Sequence, residues 1–90
     1  MLKITIEQGR NSVTMKFEGK VTGPWVEEAN RSWRSIEPSL GSKELSLDLR
    51  GVSFVDGEGR ELLREIYGKT HASFLTDSPL TKYYAQQAMQ

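Results

Sequence analysis

Residues 45–67 read LSLDLRGVSFVDGEGRELLREIY. Leu45, Leu47 and Leu49 alternate with Ser46, Asp48 and Arg50, and this period of two places the leucines on one face of a strand. Gly51 is expected to end that strand. Val52, Phe54 and Val55 are expected to cross the sheet edge as a buried plug. Asp56 stands where a helix N-cap belongs, because its carboxylate can accept a hydrogen bond from an orphan backbone N–H one turn on. In the helix that follows, Leu62, Leu63, Ile66 and Tyr67 share one side, and Arg60, Glu61, Arg64 and Glu65 the other.

Upstream, Leu2, Ile4 and Ile6 alternate with Lys3, Thr5 and Glu7. After Gly9-Arg10-Asn11, Val13, Met15 and Phe17 alternate with Thr14, Lys16 and Glu18. Two alternating runs across a short Gly/Asn turn predict a β-hairpin. Gly19 to Gly23 reads as a loop. Pro24 suits the first position of a helix, capped by Gly23 or Thr22. Val26, Ala29, Trp33 and Ile36 form its buried stripe, Trp25 flanks it, Glu27 can pair with Arg31, and Pro38 and Gly41 end it. Downstream, residues 71–76 read as a short strand. Ser78-Pro79 is a cap followed by Pro at the first helical position, and Leu80, Tyr83, Tyr84 and Ala88 are expected on the inner side of a last helix. Of the adjoining tyrosines, one is expected in the core and the other exposed.

The predicted order is ββαβαβα, with helices near 24–37, 57–68 and 78–88. Each strand is apolar on one face only, whereas a sheet covered on both faces would show continuous apolar runs. The expectation is therefore a two-layer α/β domain over 1–90: a mixed four-stranded sheet with helices mainly on one face and the other face wet. The strands from 45 and 72 are expected to be parallel neighbours.

Composition narrows the function classes. Twelve basic and twelve acidic residues cancel, which argues against a nucleic-acid function, since that needs a basic surplus on one face. The chain has no cysteine, hence no disulfide and no thiol nucleophile, which fits a cytoplasmic setting. Residues 1–10 form a strand pattern rather than a signal peptide, and no run approaches the roughly 18 apolar residues of a membrane helix. His71 is the only histidine and has no metal-ligand companions in sequence. The Asp56-Gly57-Glu58-Gly59 turn has neither the ligand spacing of a calcium loop nor the GxGxxG or Walker Lys of a phosphate loop. No catalytic, metal or cofactor site is expected, and the chain reads as a non-enzyme.

Residues 45–63 resemble the central segment of STAS domains, the family of sulfate transporters and anti-sigma-factor antagonists. Its pattern is an alternating strand ending in Asp-Leu-x-x-Val, an apolar pair, Asp-Ser-Ser-Gly and a Leu-rich helix. LDLRGVSFVD follows this closely, and Gly59-x-x-Leu62-Leu63 follows in place. The order of elements is also that of the family, although the last strand–helix unit is short for it. Where switching antagonists carry Ser-Ser, this chain has Gly57-Glu58, so the phospho-acceptor position holds a residue without a hydroxyl. The resemblance implies a bacterial, cytoplasmic signalling module in transcription regulation, working by protein–protein contact. Asp56, Gly57, Glu58, Gly59 and Arg60 would meet the partner, an anti-sigma factor that is a GHKL-type kinase. The alternative is an accessory subunit contacting the ATPase of an ABC-type lipid transport system. A monomer or a weak homodimer through an exposed strand edge is expected.

Overall fold

The computed structural model describes all 90 residues. The elements are β1 (Leu2–Gln8), β2 (Ser12–Val21), α1 (Pro24–Leu40), β3 (Glu44–Val55), α2 (Gly57–Thr70), β4 (Ser73–Leu75) and α3 (Pro79–Ala88), in the expected order. The sheet order is β1-β2-β3-β4, with β1 antiparallel to β2 and the pairs β2–β3 and β3–β4 parallel. β1 and β2 pair without a register shift, and the hairpin closes through Gly9 N–H to the Ser12 carbonyl at 2.7 Å.

All three helices cover one face. α1 lies over β1 and β2, α2 sits between the other helices over β3, and α3 packs on β3 and α2. Beneath them Met15, Phe17, Trp33, Leu47, Leu49, Leu63 and Ile66 are fully buried in a single core. Leu45 and Leu62 are buried with them. Amphipathic strands and helices can bury their apolar sides only against each other, and two layers suffice.

β3 does not stop at Gly51 but runs on to Val55, because two bulges let it continue. Phe17 of β2 opposes both Leu49 and Arg50, and Ser53 has no partner between the pairs Gly19–Val52 and Lys20–Phe54. Each extra residue resets the alternation. Buried apolar positions therefore run 45, 47, 49 and then 52 and 55. Val52 and Val55 are buried as expected, but Phe54 is turned outward and 48% exposed. It is no part of a buried plug.

Asp48 serves the first bulge. Its Oδ1 accepts the Arg50 backbone N–H at 3.0 Å and Arg50 Nε at 3.0 Å, while Oδ2 accepts Nη2 at 2.9 Å. The Arg50 guanidinium holds the Asp48 carboxyl below its usual range. Partial desolvation opposes this, and the Arg50 backbone N–H and the charges of Arg50 and Lys16 add to it.

Other expectations shift for local reasons. Gly19–Val21 belong to β2 rather than to a loop. α1 continues past Pro38 to Leu40, whose buried side chain holds the last turn on the core. Arg31 pairs with Glu28 at 3.2 Å, not with Glu27. α2 extends past Gly68 and Lys69 to Thr70. His71 is not in a strand but is the left-handed C-cap of α2 (φ 54°), its N–H donating to the Tyr67 carbonyl at 2.7 Å.

In α3 the inner stripe is Thr81, Tyr84, Ala85 and Ala88, while Leu80 and Tyr83 are about half exposed. The cap sets this rotation. The Ser78 hydroxyl accepts Thr81 N–H, and Thr81 Oγ1 accepts the N–H groups of Asp77 and Ser78, so the threonine hydroxyl can be buried. Tyr84 is the buried member of its pair and Tyr83 the exposed one. No helix is long and apolar enough to cross a membrane.

Candidate functional site

The chain leaves the sheet at Val55 and enters α2 through Asp56, whose extended backbone (φ −85°, ψ −175°) suits an N-cap. Asp56 Oδ1 accepts the Gly59 N–H at 2.8 Å, as the sequence predicts. Its other oxygen does something the sequence does not announce. Oδ2 accepts the N–H of Gly23, the N-cap of α1, at 3.0 Å. One carboxylate thus ties the starts of two helices, 33 residues apart in sequence. The Asp56 N–H donates to the Val21 carbonyl at 3.2 Å, and the Arg60 N–H donates to the Asp56 carbonyl at 2.9 Å. The N–H of Gly59, then that of Gly23, hold the Asp56 carboxyl below its usual range, against partial desolvation.

Gly59 is buried because α2 begins directly against the end of β2. A Cβ there would overlap the Val21 carbonyl oxygen and lie 2.9 Å from Val55 Cγ1. Gly57 faces open space, with only the Arg60 guanidinium within 4.0 Å. Glu58 is exposed in the first turn, where a carboxylate complements the helix dipole.

The five residues singled out in sequence therefore divide. Asp56 and Gly59 point inward and build the turn. Gly57 and Glu58 face solvent. Arg60 leans away toward α3, its Nη1 donating to Gln87 Oε1 at 3.2 Å.

Two surface grooves flank this turn. The larger, about 440 Å³, runs between α1 and α2 and is lined by Glu27, Asn30, Glu58, Glu61, Leu62 and Glu65 among others. The smaller, about 240 Å³, lies between the end of β3 and α3, lined by Phe54, Arg60, Tyr83, Tyr84 and Gln87 with Val55. Phe54 and Tyr84 meet edge to face there, with ring centroids 6.5 Å apart. Sequence reading missed both. Glu27 and Asn30 lie three positions apart on one helix, a polar-face signal, but nothing in the sequence says which residues oppose them. Phe54 was hidden by the bulge before it.

The order ββαβαβα, the mixed sheet with its helices on one face, and the α2 N-terminus at the end of the central strand can be set against solved structures. The anti-sigma factor antagonist SpoIIAA in its unphosphorylated form superposes with a TM-score of 0.69 at 16% identity, over 93% of this chain and 82% of that one. The fold is that of the anti-sigma-factor antagonists. A second STAS-fold structure, an anti-sigma factor antagonist from Mycobacterium paratuberculosis, gives 0.71 at 17% identity, over 92% of this chain and 74% of that one. A crystal structure of a protein designated Mglu gives 0.66 at 18% identity over 83% of this chain, which spans only 19% of that protein. No family model matches the sequence, and no curated protein matches it significantly.

Proposed function

We propose that this chain is a regulatory binding module of the anti-sigma-factor-antagonist kind, acting by protein–protein contact without catalysis of its own. The observation that carries the reading is the exposed start of α2. Gly57 and Glu58 are presented to solvent on a turn braced by Asp56, at the end of the central strand of a STAS fold. Exposed turns on a rigid scaffold are where binding residues concentrate. In this reading the partner is a GHKL-type kinase of the anti-sigma-factor class, in the cytoplasm, and Glu58 stands at the position of the phosphorylated serine.

A carboxylate there carries one negative charge, whereas a phosphoserine carries about −1.5 to −2 and three acceptor oxygens, so Glu58 reproduces the modified state only in part. Without a hydroxyl, Glu58 cannot form the phosphate ester that a serine at that position would carry. The chain is then held in one state of the switch. Ser53, the nearest serine, lies within β3 and not in the turn.

The test is direct. Candidate kinases are incubated with ATP and either the parent or Glu58→Ser, and intact mass is measured. A phosphate on the variant alone is expected. A phosphate on the parent within residues 53–59 overturns the reading of Glu58. Binding of the parent to an ABC-transporter ATPase, and not to any such kinase, overturns the choice of partner.

A further inference from the structure

The two edges of the sheet are unequal. β4 offers three residues at one edge, while β1 offers seven at the other, with no proline, no glycine and no bulge. An open strand of this length presents a row of unpaired backbone donors and acceptors, the feature that folded proteins usually blunt. Ile4 and Ile6 lie on the core side of β1 but are only partly buried, because β1 has no outer neighbour. On the other side, Lys3 and Glu7 make no ion pair within the chain.

We propose that the free edge of β1 is a self-association site, at which a second copy of this chain pairs antiparallel about a two-fold axis through Thr5. This rests on the strand edge and is independent of the turn at Asp56. The charge order of β1 selects the partner. With Thr5 opposite itself, Lys3 faces Glu7 of the second copy and Glu7 faces its Lys3. On the other face Ile4 meets Ile6 and Ile6 meets Ile4. Directly opposed residues share a face in an antiparallel pair, so both complementary sets form at once. The flanking register extends the pattern, since Lys3 already neighbours Glu18 on β2 and Thr5 neighbours Lys16.

Neighbouring registers lose this match. An axis through Ile4 sets Lys3 against Thr5, and an axis through Ile6 sets Glu7 against Thr5. A foreign strand would satisfy the same backbone groups but would have no reason to repeat this charge order. The result is an eight-stranded sheet with both helix layers on one side. One strand pair buries less than the roughly 1,200 Å² of a stable interface, so the dimer is weak and concentration-dependent.

Sedimentation equilibrium from micromolar to millimolar protein tests the proposal, with circular dichroism confirming that each variant folds. The parent is expected to dimerise reversibly. Lys3→Glu and Glu7→Lys each set like charges opposite one another at two symmetry-related places, and each should weaken the dimer about tenfold or more. Mixing the two single variants should restore association as a heterodimer. The double variant Lys3→Glu/Glu7→Lys should restore it as a homodimer. Thr5→Cys, the only thiol in the chain, should form a disulfide-linked dimer under mild oxidation, since the opposed Cα atoms stand about 4.5–5.5 Å apart. A parent that stays monomeric throughout overturns the proposal. So does a dimer that is indifferent to the single reversals, or one that neither the mixture nor the double variant restores.

Discussion

Asp56→Ala removes two hydrogen bonds at once, because one carboxylate caps α2 through Gly59 and holds the start of α1 through Gly23. Loss of an N-cap oxygen costs about 0.5–2 kcal/mol. Leaving the half-buried Gly23 N–H without its charged acceptor adds about 1–2 kcal/mol. Together these cost about 1.5–4 kcal/mol, or a fall in Tm of roughly 6–30 °C for a domain of this size. Asp56→Asn separates the two roles. Asn caps helices as well as Asp but has a single acceptor oxygen, so it should retain the Gly59 bond and lose the Gly23 bond, costing only about 1–2 kcal/mol.

The pH dependence follows the depressed carboxyl. Its folded pKa lies below the unfolded value of about 3.9, so the stabilisation is complete above that pH and is lost as pH falls through the folded pKa. The gap between parent and Asp56→Asn should therefore close in acid. Asp48, also depressed, contributes to the acid limb of both proteins alike. Urea unfolding followed by the fluorescence of buried Trp33, from pH 7 down to pH 3, measures all of this. A cost under about 1 kcal/mol for Asp56→Ala would falsify the two-helix tie, as would an Asn variant as unstable as the Ala variant.

Three further substitutions probe the frame around the turn. Gly59→Ala drives a methyl into the Val21 carbonyl and Val55, and should cost about 1–3 kcal/mol, whereas Gly57→Ala meets open space and should stay within about 1 kcal/mol of the parent; thermal melts of the pair decide it. Leu47→Ala, at a fully buried site on the central strand, should cost about 2–5 kcal/mol in urea unfolding, and a nearly silent result would refute the strand register. Asp48→Ala strips the bulge of the acceptor for the Arg50 N–H and should cost about 1–3 kcal/mol, with hydrogen exchange rising at Arg50 rather than across the sheet.

Much of the architecture can be read from periodicity. Leu45, Leu47 and Leu49, the two alternating runs of the hairpin, and the stripe of Leu62, Leu63 and Ile66 each state which face is apolar. Burying those faces together leaves few arrangements besides a sheet with helices on one side. The N-caps at Asp56 and Ser78 were also legible, since each depends on a side chain and a backbone group only three residues apart.

What stayed hidden depends on partners distant in sequence. The bulges opposite Phe17 and at Ser53 arise from the pairing of β2 with β3; the first brings Val52 to the buried face and the second returns Phe54 to the outer one. Thr81 rather than Leu80 is buried because of the face that α3 turns to β3 and α2, although the threonine hydroxyl itself is satisfied locally by Asp77 and Ser78. The second oxygen of Asp56 reaches Gly23 because folding brings two helix starts side by side, and local sequence carries no record of that neighbour. Period and capping act within a turn of the chain. Register, groove and shared cap act between elements, and they take their geometry from the packed whole.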